Sequence, residues 1–181
     1  MPTNKKIISV YADAELLHSQ EHVEAALDRM AIDITKKLKE SNPLVICVMI
    51  GGVVTTGKLV TRLNFPLEVD YLHASRYQGK TAGKDLKWIA RPVSALKDRS
   101  ILIVDDILDE GYTLSSIIDF CQEQGAREIF SAVLVEKRVN RNVDVTADFI
   151  GLEVENKYVF GYGMDYKDSL RNAPGIFAVK D

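Results

Sequence analysis

Cysteine is scarce in this chain: 2 in 181 residues, Cys47 and Cys121, far apart and without Cys-x-x-Cys spacing. A disulfide scaffold and a cysteine-ligated metal site are both excluded, and the two thiols read as reduced core residues. Histidine is equally sparse, and His18, His22 and His73 form no metal-ligand spacing. With 5 Pro and 11 Gly there is no collagen-like, mucin-like or disordered composition. Long hydrophobic runs are missing as well. The longest, Leu44 to Ile50, falls far below the roughly 18 residues that cross a bilayer, so no membrane association is expected. The start carries Lys5 and Lys6 but continues through Tyr11, Asp13 and Glu15, which is no secretory leader, and a cytoplasmic location is expected. Charge of one sign is lacking too: 23 Lys+Arg against 26 Asp+Glu leave a net −3. Nucleic acid is therefore not an expected partner. What remains is one compact domain over residues 1–181, of the size and charge of a small acidic enzyme.

The apolar pattern gives the fold class. After Ser19, a candidate N-cap, Val23, Leu27, Met30, Ile34 and Leu38 recur at helical spacing, predicting a helix from Gln20 to about Glu40 that Ser41-Asn42-Pro43 stops. Leu44 to Ile50 is unbroken, β-branched and closed by Gly51-Gly52, as suits a strand buried on both faces. Thr55 to Leu63 reads as a helix and Leu67 to His73 as a strand. The polar stretch from Ser75 to Lys87 reads as a mobile loop. A strand over Ile101 to Val104 ends in Asp105-Asp106, and a helix over Thr113 to Gln124 closes on Gly125. Ile129 to Val135, Phe149 to Val154 and Tyr158 to Gly161 are further strands, while the tail from Met164 shows no regular pattern. The alternation predicts an α/β, single-domain, Rossmann-like fold with a mainly parallel sheet flanked by helices. Ligands of such sheets bind at the carboxyl ends of the strands, here after Ile50, Val104, Val135 and Gly161.

The chemistry concentrates in Val104-Asp-Asp-Ile-Leu-Asp-Glu-Gly-Tyr-Thr113. A loop entering a helix offers backbone N–H groups and the positive end of the helix dipole, a cradle for phosphate. Neither the P-loop nor the dinucleotide glycine pattern is present. Acids at 105, 106, 109 and 110 would repel a bare phosphate, so they point to sugar hydroxyls, a divalent cation or a cationic transition state. That combination fits a phosphorylated ribose with a metal.

This stretch resembles the phosphoribosyl-pyrophosphate motif of the type I phosphoribosyltransferases, and its setting from about Leu44 to Arg171 resembles their purine salvage branch, the hypoxanthine-guanine enzymes. The resemblance implies that fold, with a small hood from the chain ends and a mobile lid. It implies transfer of the phosphoribosyl group of 5-phosphoribosyl 1-pyrophosphate to a 6-oxopurine, giving IMP or GMP, with magnesium as cofactor and a homodimer or homotetramer as the assembly. Asp105 and Asp106 would meet the ribose hydroxyls directly or through magnesium; Asp109, Glu110, Gly111, Tyr112 and Thr113 would wrap the 5′-phosphate. Asp109 would be the general base toward the purine N7, beside a ribose that gains positive charge.

By the same resemblance the Gly51-Gly52 loop binds pyrophosphate through its backbone, with Ile50 where the family often has Lys. Lys137 donates to the purine 6-oxo group, which favours hypoxanthine, guanine or xanthine over adenine. Tyr158 stacks on the purine, the Val159 backbone meets its edge, Asp165 binds magnesium and Arg171 binds pyrophosphate. Ser75, Arg76 and Tyr77 open the lid, with Arg76 where the family usually has Ser. Two other readings compete: a xanthine-preferring enzyme, and a regulatory protein on the same fold that senses phosphoribosyl pyrophosphate. The second needs a basic face, which the net charge does not supply.

Overall fold

The computed structural model describes residues 2–76 and 86–180. Its elements run α1 (Asn4–Asp13), β1 (Glu15–Ser19), α2 (Gln20–Leu38), β2 (Leu44–Met49), α3 (Val53–Val60), β3 (Glu68–Arg76), β4 (Leu86–Ala90), β5 (Ser100–Leu108), α4 (Tyr112–Glu123), β6 (Glu128–Lys137), β7 (Phe149–Val154), β8 (Val159–Phe160) and β9 (Gly175–Ala178). Six strands form the main sheet in the order β4-β3-β2-β5-β6-β7. All neighbours are parallel except the β3–β4 pair at one edge. The predicted mainly parallel sheet is therefore the observed one.

Residue alternation decides which face each side chain serves. Val45, Leu102, Val104, Ala132 and Leu134 join α2 and α3 in one buried cluster. Leu44, Ile46, Val48, Ile101, Ile103 and Val133 join α4 in the other. With both faces covered, the strands must be apolar throughout, as the sequence shows. Helix α2 starts where the Ser19 hydroxyl accepts the His22 N–H, and it buries Val23, Leu27, Met30, Ile34 and Leu38 along one stripe. Each such side chain contributes about 1.5–3 kcal/mol by leaving water.

The chain ends build a second, three-stranded sheet, β1-β9-β8, in which β9 is central and antiparallel to both neighbours. A small cluster of Phe160, Tyr166 and Ala173, with Val10, Ala14 and Phe177 against it, fills the space beneath. This is the expected hood. It corrects the tail from Met164, which holds β9, and it adds α1 and β1 where no element was expected. Helix α1 buries no residue, so it leaves no apolar stripe to read. Strand β1 finds its partner about 160 residues away, where local pattern gives no hint.

The polar stretch also differs at its margins. Ser75 and Arg76 end β3, and Leu86 and Lys87 begin β4, paired with them antiparallel. Trp88 then packs on Phe120, with ring centroids 4.7 Å apart, and anchors β4 to α4. Tyr77 lies outside the described residues. Strand β5 runs past Val104 to Leu108, Asp105 pairing with Val133 and Ile107 with Val135. The acidic pair thus sits within the strand's last stretch and not beyond its end. Among the described residues no helix is long and apolar enough to cross a membrane.

Candidate active site

From β2 the chain winds outward through β3 and β4, then returns to β5 and proceeds the other way through β6 and β7. The reversal falls between β2 and β5, and the carboxyl ends of strands at such a switch point are where sheets of this kind bind ligands. A cavity of about 190 Å³ follows β5, lined by Asp105 to Gly111, Thr113, Leu114 and Val133. Helix α4 begins at its wall, and the turn into it needs Gly111 at φ +87°, the left-handed region that favours glycine. The geometry is that of an anion cradle at a helix N-terminus.

The acids around it have separate environments. Asp105 and Asp106 are buried, 9% and 8% exposed. Burial and the neighbouring charge of Asp106 push the Asp105 carboxyl well above the usual range. Burial raises Asp106 too, although the charge of Arg171 draws it back. Two adjacent carboxyls held this way call for a cation or for hydroxyl donors. Asp109 stands apart and does not cap α4, whose start has no side-chain cap. Its Oδ2 accepts from Lys137 Nζ at 2.8 Å. The expected base and the expected purine-selecting lysine are thus side by side, brought together by adjacent parallel strands.

The loop after β2 approaches the same acids. At Gly51 a β-carbon would overlap the Asp106 carboxylate, so only glycine lets this backbone lie against it. The preceding Met49–Ile50 peptide is cis. The Ile50 side chain is 49% exposed, so the apolar residue at that position faces outward beside the loop. From the hood, Arg171 donates to the Gly163 carbonyl at 2.6 Å and pairs with Asp165 at 2.7 Å. Asp165 also accepts the Asp168 N–H. Tyr158 is half exposed, edge-on to Tyr166 with centroids 5.7 Å apart, whereas the neighbouring Val159 is buried and pairs with Ala178 of β9. The structure brings Asp105, Asp106 and Gly51 together, and Asp109 with Lys137. It places Asp165 with Arg171 as a further pair.

The donors present fit magnesium of a particular kind. Among the described residues no three His, Cys, Asp or Glu side chains converge into a cage. Magnesium that enters with phosphate oxygens needs only one or two carboxylates, and Asp105, Asp106 and Asp165 are the residues that would hold it.

Two features were not legible beforehand. Arg141, four residues past Lys137, donates to the backbone carbonyls of Asp109 and Lys137 at 2.7 and 2.8 Å. Glu24 of α2 accepts from Lys58 of α3 and from the Tyr162 hydroxyl, both at 2.6 Å, and from Arg62. Burial opposes the charge on Glu24, but these donors outweigh it and hold the carboxyl at about 2. Only three-dimensional proximity joins these residues, and no motif in the sequence marks it.

A parallel sheet with an acidic loop and an anion cradle at its switch point defines a class, and the comparisons agree with it. The chain belongs to the phosphoribosyl transferase domain family, whose model matches residues 13–167. Within that class its relatives are specific. It is 31% identical over 168 residues to the hypoxanthine-guanine phosphoribosyltransferase of Streptococcus pneumoniae, covering 92% of this chain and 93% of that one. The crystal structure of a hypoxanthine phosphoribosyltransferase from Staphylococcus aureus superposes with a TM-score of 0.90 at 25% identity, covering 99% of this chain and 97% of that one. It is also 30% identical to the bifunctional protein TilS/HprT of Listeria monocytogenes over 92% of this chain, which spans 26% of that protein's length.

Proposed function

We propose that this protein is a hypoxanthine-guanine phosphoribosyltransferase of purine salvage, a pentosyl transferase that joins the ribose 5-phosphate of 5-phosphoribosyl 1-pyrophosphate to a 6-oxopurine and releases pyrophosphate. The observation that carries it is the Asp109–Lys137 pair at 2.8 Å beside the phosphate cradle. A 6-oxopurine offers a carbonyl acceptor to an ammonium and, near it, the N7 proton to a carboxylate. The two side chains match the two groups, and adenine, with an amine in place of the carbonyl, does not.

The residues divide the work. Gly111 to Thr113 and the start of α4 bind the 5′-phosphate, with Glu110 on the same loop. Asp105 and Asp106 face the ribose hydroxyls, and Gly51, Gly52 and Arg171 hold the pyrophosphate. Tyr158 stacks on the base and Val159 presents its backbone to the base edge. Asp105, Asp106 and Asp165 hold magnesium, which when bound screens the pyrophosphate charge as it leaves. As the bond to pyrophosphate lengthens, the ribose turns cationic, and the neighbouring carboxylates favour that state over the ground state. Asp109 takes the N7 proton, a step that contributes about 10²–10⁴-fold. Ser75, Arg76 and Tyr77 open a lid that excludes water from the activated ribose.

A cytoplasmic homodimer or homotetramer belongs to the same proposal. Val53, Val69 and Tyr71 leave an apolar face beside the Gly51 loop, each more than two-fifths exposed. The test is nucleotide formation from phosphoribosyl pyrophosphate and magnesium with hypoxanthine, guanine, xanthine and adenine in parallel. IMP or GMP formation without AMP supports the proposal. A preference for xanthine moves the assignment to the xanthine enzyme. Tight phosphoribosyl-pyrophosphate binding without turnover of any base replaces the enzyme with the sensing protein.

A further inference from the structure

The base lies on the loop after β5, whereas the purine-selecting lysine is the last residue of β6. Backbone pairing between these strands ends at Leu108 and Glu136. Beyond that point β7 still holds Lys137 through Val154, but no strand pairing holds Asp109, and a planar purine must meet both at once. A misplacement of about 1 Å is enough to cost about 10²-fold in such a geometry.

Arg141 occupies the gap. Its Nε donates to the Asp109 carbonyl at 2.7 Å, and its Nη2 donates to the Leu108 carbonyl at 3.3 Å and to the Lys137 carbonyl at 2.8 Å. Its Nη1 pairs with Glu136 at 2.8 Å, and both side chains are largely buried, 15% and 16% exposed. The guanidinium therefore bonds the backbone carbonyls of Leu108, Asp109 and Lys137 and pairs with the Glu136 side chain. A planar fork with five donors can serve three carbonyls and a carboxylate together; an ammonium cannot hold the same set in one plane. Glu136 offsets the cost of burying this cation, and three backbone carbonyls accept from its other N–H groups. An arginine needed only to close the loop after β6 would have no reason to reach the carbonyls on the β5 side.

We propose that Arg141 is a positioning residue for the transfer, clamping the Asp109 loop to the end of β6 so that the Asp109 and Lys137 side chains present a fixed pair of groups to the purine. This rests on the function proposed above. Arg141 touches no reacting atom and acts through Asp109 and Lys137. The Arg141 side chain also lies against Gly111 of the 5′-phosphate cradle, but none of the hydrogen bonds above is made to Gly111, Tyr112 or Thr113.

The test uses Arg141→Lys, which keeps the cation and removes the fork, alone and combined with Asp109→Asn. Arg141→Lys is expected to lower kcat/KM for the purine by about 10–100-fold, with phosphoribosyl-pyrophosphate affinity within about threefold of wild type. Because part of the Arg141 effect runs through Asp109, the loss in the double variant is expected to be clearly smaller than the product of the two single losses. Glu136→Gln releases one contact of four, and a smaller loss that is again non-additive with Asp109→Asn is expected. It carries the test if Arg141→Lys does not fold. Purine turnover by Arg141→Lys within threefold of wild type, or losses that multiply in the double variant, would overturn the clamp. Equal loss of affinity for both substrates would also overturn it, since that marks a general structural role. Absence of transfer by the wild-type protein would instead refute the function proposed above.

Discussion

Glu24 offers the most quantitative test of how the hood is held to the sheet. Its carboxylate collects Lys58 from α3, Arg62 from the turn that follows, and the Tyr162 hydroxyl from the loop that leads to Asp165. Lys58 lies over the Tyr162 ring as well, 5.4 Å from its centroid. Glu24→Gln keeps the shape and removes the charge. A carboxyl held at about 2 against an ordinary 4.5 corresponds to a ceiling of about 3 kcal/mol, at about 1.4 kcal/mol for each tenfold. The side chain is 27% exposed and its partners reach water, so screening brings the expected loss to about 1–2 kcal/mol. The native value is depressed, so this stability is present above pH 4.5 and is lost as pH falls toward 2. Urea denaturation of wild type and variant at one protein concentration should show the full gap at pH 7. The gap should begin to close below about pH 5 and should be roughly half gone near pH 3. A gap under about 0.5 kcal/mol at pH 7, or one that does not change with pH, would refute the reasoning.

Three further outcomes follow from the site. Asp105→Asn retains the oxygen that accepts the Asp106 N–H and removes one of two buried acids. Wild type loses stability as pH rises through the raised Asp105 value, so once pH exceeds that value the variant should melt above wild type while losing turnover, read by calorimetry and by nucleotide formation. Gly51→Ala should weaken phosphoribosyl-pyrophosphate binding by about tenfold or more, about 1.4 kcal/mol by titration calorimetry, because the added methyl overlaps the Asp106 carboxylate. Burial pushes the Cys121 thiol up to about 12 and raises Cys47 as well. A thiol reagent at pH 8 should therefore find no reactive group in the native protein and two on unfolding, by absorbance titration.

How much the sequence revealed depended on how local each cause was. Strands β2, β5 and β6 are buried on both faces, and their unbroken apolar runs were readable for that reason. The acids after Val104 stood out because four of them fall in the six residues before one glycine ahead of a helix. Strand β9 was hidden because its four residues pair with β1 and β8, so its stability comes from the opposite end of the chain. Strand β4 was concealed by the polar composition before it, although Trp88 at its centre packs on α4. Arg141 and Glu24 carry no motif, and their partners lie 32 and 138 residues away in Asp109 and Tyr162. Contacts of that range are set by the sheet order and become visible only once the strands are in place.

The central claim is that the loop after β5 delivers a general base, and its most direct test is Asp109→Asn. The substitution preserves size and one acceptor oxygen while removing the proton-accepting charge. The account predicts that kcat for nucleotide formation falls by about 10²–10⁴-fold while the affinity for phosphoribosyl pyrophosphate stays within a few-fold of wild type. Turnover at the wild-type rate would contradict it, and so would an undiminished kcat accompanied by a loss of phosphoribosyl-pyrophosphate affinity, which would make Asp109 part of the phosphate cradle alone.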